Sequence, residues 1–462
     1  MSFWICGLLL LVPIWVPTYL PSEDGLGHMY WAEVYRALGN PDSLYGAFFI
    51  RHVSLGAPHQ LLQFVLQYGL AAVIDAHVAQ QVVVSIVVLS WVGAIHYLSR
   101  AVNGAITLGG FAALLLVLNC WLYNGFFAFL GAMPFVLVTL GLLYQLGTRP
   151  PDDDSIRPYL AIAVFGLAAY YAHFFVGALF LMLVGAWLIY PWRTVRFHRA
   201  YLAATMLPTA IQAVWYLGRG TLGSGGMQWE SPIRIAARFF GLAFFRGFAA
   251  PTPSFWMALS VFAILLACLC WNELRAAPFR DLPEPRRFIL AFSGILAVGY
   301  FFIPLSIGET TPVHGRVNFA MWAWLLPTLA VPVSARGRKM IVAVVGLLLA
   351  WQIVTFTNRS IHFSREYAEV LRQAEAIPAG ATLQSSLLYG NARYDGSFVR
   401  VLADVPEDIA FRRQAVLLSS FFPSTPYYWV LPKPGVAPHP EYRLDLQRGA
   451  AGEMKLVIDR VR

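Results

Sequence analysis

Eleven apolar runs, near 2–20, 78–98, 105–121, 126–146, 158–172, 174–190, 200–217, 255–272, 288–306, 317–333 and 340–356, constrain this chain more than any motif does. Each approaches the roughly 20 residues that an α-helix needs to cross a bilayer core. In lipid the backbone must satisfy its own polar groups, so such runs fold as helices. Only 12% of the residues are charged, about half the ~25% of soluble domains. A water-soluble enzyme, a cytosolic dinucleotide-binding fold and a nucleic-acid-binding protein are all excluded. The net charge of +9 does not argue otherwise, because much of the basic excess before residue 357 lies in short loops between apolar runs.

Those loops set an expected orientation. Arg193, Arg196 and Arg199, then Arg275, Arg280, Arg286 and Arg287, then Arg336, Arg338 and Lys339 mark three cytoplasmic loops by the positive-inside rule. Loop 146–157 offsets Arg149 and Arg157 with Asp152, Asp153 and Asp154 and gives little help. The N-terminus is then cytoplasmic, with 21–77 the first external loop, 218–254 an external amphipathic loop, and the C-terminus outside. The first run has no basic leader region and no small-residue cleavage site, so it reads as a retained helix. Within the first external loop, 27–38 and 59–74 read as two juxtamembrane helices, the second too short and too rich in glutamine to span.

Residues 357–462 hold 13 basic and 11 acidic residues and read as a soluble, external, α/β-like domain, with a helix at 365–376 and strands at 382–389 and 415–420. The expected fold is an all-α polytopic membrane domain over 1–356, with about eleven transmembrane helices, followed by that small domain. Four cysteines, all within apolar runs, give no disulfide framework.

The candidate chemistry begins at Pro21-Ser-Glu-Asp-Gly-Leu-Gly-His28, where the first run leaves the membrane. An acidic pair is costly at a low-dielectric boundary unless it serves a site. If a helix starts near Ser22, Asp24 and His28 share one face, which suits a base and an orienting or substrate-binding partner. Ser22, Glu23 and Asp24 are equally good helix-capping residues, and spacing alone leaves both readings open. Polar residues inside or at the ends of apolar runs, Asn119, Asn124, His173, Gln212 and His96, either serve a site or bond between helices. Of these, Asn124 and His173 belong near the outer face.

With these residues in view, the chain resembles the GT-C superfamily of membrane glycosyltransferases, which use sugars carried on polyprenyl phosphates. The resemblance lies in the architecture: a first helix, the Glu23-Asp24 pair at its external end, juxtamembrane helices, many further helices and an external C-terminal domain. Asp24-Gly25-x-x-His28 is similar to the Asp-Gly-x-x-His start of a bacterial group usually placed near these enzymes. Asn124-Gly-Phe-Phe and Tyr171-Ala-His173 also resemble strings of that group. By this resemblance Asp24, with Glu23 as neighbour, is the general base toward the acceptor hydroxyl, and transfer proceeds by one inverting displacement. A second acid in another external loop, present in some members, would be Glu230 or Glu309. Some members also use a divalent cation and others do not; Glu23, Asp24 and His28 are the residues that would take Mg or Mn, and no metal ligand is assigned.

A lipid-phosphate donor needs cations on the same face. Arg316, in Gly308-Glu-Thr-Thr-Pro-Val-His-Gly-Arg316, corresponds to the late-helix arginine that superfamily members set against the lipid phosphate, and planar bidentate donors suit phosphate oxygens. His314 is a further substrate-binding candidate. Arg234 and Arg238 lie four apart on a basic amphipathic helix that either binds the donor's phosphate or anionic headgroups, or anchors at the surface. The glycine-rich stretch 220–226 reads as a hinge, and the aromatic stretch 421–429 as core or membrane-contact residues. The expected location is a bacterial inner (plasma) membrane, and the partners a polyprenyl-phosphate sugar donor, membrane lipid, and a glycan, lipid or protein acceptor. The competing readings are a transporter or flippase of lipid-linked material, a surface-polysaccharide polymerase or ligase, and a non-catalytic scaffold.

Overall fold

A computed structural model describes residues 2–40, 42–51, 61–149, 155–193, 195, 197–218, 226–276, 278–307, 313–385, 401–402, 405–418, 430–433, 439–448 and 454–461. The expectations resting on Asp152, Asp153 and Asp154, on 220–225, on Glu309 and on 421–429 lie outside the described residues.

The chain runs through α1 (Phe3–Leu9), α2 (Val12–Trp15), α3 (Gly25–Ala37), β1 (Phe49–Arg51), α4 (Leu61–Ala71), α5 (Ala76–Asn103), α6 (Leu108–Ala113), α7 (Cys120–Tyr123) and α8 (Phe127–Gly147). It continues through α9 (Arg157–Ala172), α10 (Phe174–Ile189), α11 (Arg199–Gly218), β2 (Met227–Gln228), α12 (Pro232–Phe240), α13 (Pro253–Ala276), α14 (Glu284–Gly299), β3 (Ser306–Ile307) and α15 (Val313–Thr328). The last part comprises α16 (Ala335–Gln373), β4 (Thr382–Ser385), α17 (Val405–Arg412), β5 (Val416–Leu417), β6 (Val430–Pro432), β7 (Tyr442–Arg448) and β8 (Met454–Arg460).

Among the described residues, five helices are long and apolar enough to cross a membrane: α5, α8, α13, α14 with its 3-10 extension to Phe302, and α16. That corrects the expected count of about eleven. Apolar runs record a preference for burial, whereas a span also needs an unbroken helix. The first run breaks into α1 and α2, with a proline in the first turn of α2. The run at 105–121 breaks where Asn119 caps α7, its Oδ1 accepting from the nitrogens of Trp121 at 2.8 Å and Leu122 at 3.2 Å. Helices α9, α10 and α15 have 16 residues each, a rise of about 24 Å against a core of about 30 Å.

The spans themselves follow local rules. Asp75 caps α5 through its carboxylate, which accepts from His77 N at 2.9 Å, and Gly104, at φ +73°, ends the helix in the left-handed conformation. Trp91 on α5 donates its indole N–H to the Leu130 carbonyl of α8 at 2.8 Å, satisfying a buried polar group across the α5–α8 interface.

Helix α16 does not stop at the composition change. It runs 39 residues, so the domain boundary expected at 356/357 falls inside it. Its second half buries Phe363, Tyr367, Val370 and Leu371, and the C-terminal sheet rests on it. That sheet has the order β5-β4-β7-β8, with β4 parallel to both neighbours and β7 antiparallel to β8, Tyr442 opposite Arg460. The small domain is also tied to the segment between α3 and α4, because β1 pairs antiparallel with β6, Ile50 opposite Leu431. The fold is that of a helical membrane protein with a small C-terminal sheet.

Candidate functional site

The juxtamembrane helix expected at 27–38 is α3, and its first turn is held by α7 and the residues after it. The nitrogen of Glu23 donates to the Tyr123 carbonyl at 2.9 Å, and that of Asp24 to the Asn124 carbonyl at 3.1 Å. The Asn124-Gly125 string is thereby set against the acidic pair. Gly125 has φ +79°, and a Cβ on it would stand 2.7 Å from the nitrogens of both Asp24 and Gly25. Only glycine allows that approach. Gly125→Ala is expected to cost roughly 2–4 kcal/mol through left-handed strain and backbone overlap. Thermal melting in detergent checks this against Gly131→Ala, whose added Cβ meets a Val87 methyl at an ordinary 3.5 Å; equal melting temperatures would contradict it.

The cap of α3 is made by Ser22, whose hydroxyl oxygen accepts from Gly25 N at 3.1 Å. Asp24 occupies the N-cap position, yet its side chain makes no capping hydrogen bond. His28 is buried one turn into α3, its nitrogen donating to the Asp24 carbonyl at 3.1 Å.

Arg316 enters from the first turn of α15. Its Nη1 lies 3.3 Å from His173 Nε2, between α9 and α10, and its guanidinium carbon sits 4.7 Å above the Phe126 ring and 5.6 Å from that of Phe129. It is buried, and burial pulls its pKa below the ordinary guanidinium value while the charge of Asp24 acts the other way. A buried guanidinium persists when aromatic faces and an opposing carboxylate compensate its lost hydration. Arg316 is thus joined to His173 and, through Phe126, to the segment whose Asn124 carbonyl accepts from the Asp24 nitrogen.

A second cluster adjoins this one. Glu230, just before α12, takes Arg238 in a two-point pair, Oε2 to Nε at 2.8 Å and Oε1 to Nη2 at 2.9 Å. His314 Nε2 lies 3.6 Å from Glu230 Oε2. Beside them is a cavity of about 150 Å³ lined by Cys120, Asn124, Arg238, Arg246, His314 and Asn318, among others. Asn124 links the clusters, and His314 and Arg316 share one turn. Arg234 is exposed and does not line the cavity. Glu23 and His28 are buried near the first cluster, but among the described residues no group of three His, Cys, Asp or Glu side chains can hold a metal ion. A site for Mg or Mn at Glu23, Asp24 and His28 is therefore not supported.

Arg246 and Asn318 were not among the candidates read from the sequence. The signal for Asn318 was a polar residue two positions after Arg316 in an apolar run, and for Arg246 its place at the end of the basic segment 233–246. Asn119 serves as a cap, and the His96 ring packs at a tilt against Trp4 at 5.2 Å and Phe3 at 5.9 Å, both structural roles.

No protein-family model matches the chain, and no curated protein matches it. The fold defines a helical membrane protein.

Proposed function

We propose that the protein is a membrane glycosyltransferase of the GT-C type. It moves a sugar from a polyprenyl-phosphate donor to a glycan, lipid or protein acceptor at the extracytoplasmic side of a bacterial inner membrane. The observation carrying this reading is that Asp24 and Arg316 both lie against the segment 124–126, Asp24 through its nitrogen and Arg316 over the Phe126 ring. One is an acid suited to taking a proton and the other a cation suited to holding phosphate.

In the proposed reaction a donor phosphate oxygen binds Arg316, and His173 supports the guanidinium. The acceptor hydroxyl then lies against Asp24. Its oxygen forms a bond to the anomeric carbon as its proton passes to Asp24, and the bond from that carbon to the phosphate oxygen breaks on the opposite face. The lipid phosphate leaves with the bonding electron pair, stabilised by Arg316, and the anomeric configuration inverts. Phosphate leaves without strong acid help, so one base is sufficient. The cavity at Arg238, His314 and Asn124 provides polar groups beside the reacting centre.

The test is mass spectrometry of lipid that co-purifies with wild type, Arg316→Lys and Arg316→Ala. A polyprenyl-phosphate sugar is expected with wild type, reduced with the lysine variant and depleted with the alanine variant. Bulk phospholipid alone in all three would overturn the proposal.

A further inference from the structure

The amphipathic segment before and within α12 has two distinct faces, and only the inner one belongs to the site. Inward, Ile235 is buried, Phe239 packs on Tyr300 at 5.0 Å and on Phe301 at 5.3 Å, and Arg238 borders the cavity. Outward, Ile233 is 83% exposed, Phe240 71% and Trp229 60%, with Arg234 exposed beside them. Strand β2 fixes the approach to the helix by pairing with β3, Met227 opposite Ile307.

The position of this face says what covers it. Tyr300 and Phe301, on which α12 rests, end the candidate span Glu284–Phe302, and Phe302 continues the apolar surface at 72% exposure. The end of a span is where hydrocarbon gives way to headgroups. A nine-residue helix is about 14 Å long and cannot cross. An exposed tryptophan, a phenylalanine and an isoleucine with an arginine beside them match the chemistry of that boundary, where aromatic bodies and apolar stems are buried and the cation meets lipid phosphate.

We propose that residues 227–240 form an interfacial strap, its outer face seated in the headgroup region of the bilayer at the end of α14 and its inner face covering the Arg238–His314 cavity. The partner is the lipid surface itself, and the membrane holds the cover in place. This inference stands apart from sugar transfer and survives if that reading fails.

Spin labels placed at Ile233→Cys and, separately, Phe240→Cys test it, in protein with Cys268→Ser and Cys270→Ser, reconstituted into nanodiscs of phosphatidylcholine and phosphatidylglycerol. Both host sites are highly exposed, so a label there displaces little packing. Labels at Leu347, exposed on span α16, and Lys455, exposed on β8, give the lipid and water references. Labels at 233 and 240 are expected to favour collision with oxygen over a water-soluble nickel chelate, as at 347. If either behaves as the label at 455 does, the strap is not seated in lipid and the proposal is overturned.

Discussion

Asp24→Asn is expected to lower sugar transfer by about 10²–10⁴-fold, the contribution of a positioned general base, while leaving the fold in place. The substitution keeps the size of the side chain and does not touch the contacts that build the turn. The Asp24 nitrogen still donates to the Asn124 carbonyl, and Ser22 still caps α3. What is lost is the capacity to accept the acceptor's proton. Arg316 also loses an opposing charge, so Glu23→Gln serves as the comparison: it removes a neighbouring charge and is expected to keep most of the transfer rate. Turnover of a defined polyprenyl-phosphate sugar by purified protein, with melting temperature measured alongside, decides the matter. Undiminished turnover in Asp24→Asn would remove Asp24 as the base.

The parts of the structure that could be read in advance are those written locally. Helices α3, α4 and α12 sit where helical spacing and amphipathicity put them, and the five long apolar helices each correspond to an apolar run. Hydrophobicity does not record helix continuity, so Pro13, Asn119 and the short lengths of α9, α10 and α15 were invisible to the count. Nor does polarity end a helix: α16 turns from apolar to amphipathic near Asn358 without a break, because the residues there continue the helix while changing what they pack against. The site was legible as separate strings around Asp24, Asn124, His173 and Arg316. The contacts that join them were not, since these depend on packing between segments far apart in the chain. The Glu230–Arg238 pair was missed although the two residues are only eight positions apart, because pairing them requires the residues before α12 to turn back along the helix.

Asp408→Ala is expected to loosen the C-terminal domain from the helices, at a cost of about 3–5 kcal/mol, the usual consequence of breaking a buried ion pair. The carboxylate is buried on α17. Its Oδ2 accepts from the Tyr367 hydroxyl of α16 at 2.6 Å, and Arg412 Nε stands 3.4 Å from the same oxygen. Its Oδ1 lies 3.2 Å from His77 Nε2 in the first turn of α5. Tyr19, between α2 and α3, closes the cluster, its ring 4.9 Å from that of His77 and 5.3 Å from that of Tyr367. One carboxylate thus ties the small domain to two candidate spans. Burial alone would push its pKa up, but His77, Arg412 and the Tyr367 hydroxyl together outweigh burial and hold it below the ordinary value. Because the folded value is the lower one, the stabilisation is complete above the unfolded carboxylate range near 3.9 and is lost as pH falls through the folded value. The consequence reaches the site, because Tyr30 on α3 accepts from Leu417 N at 2.9 Å and donates to the Ala415 carbonyl at 3.3 Å, so the helix that begins at Asp24 is fastened to the same domain. Hydrogen–deuterium exchange at neutral pH is therefore expected to rise in Asp408→Ala over both 405–418 and 25–37, with α8 unchanged, while wild type keeps its protection down to the carboxylate range. Faster exchange confined to α17 would mean that Asp408 holds its own helix but does not couple the domain to α3.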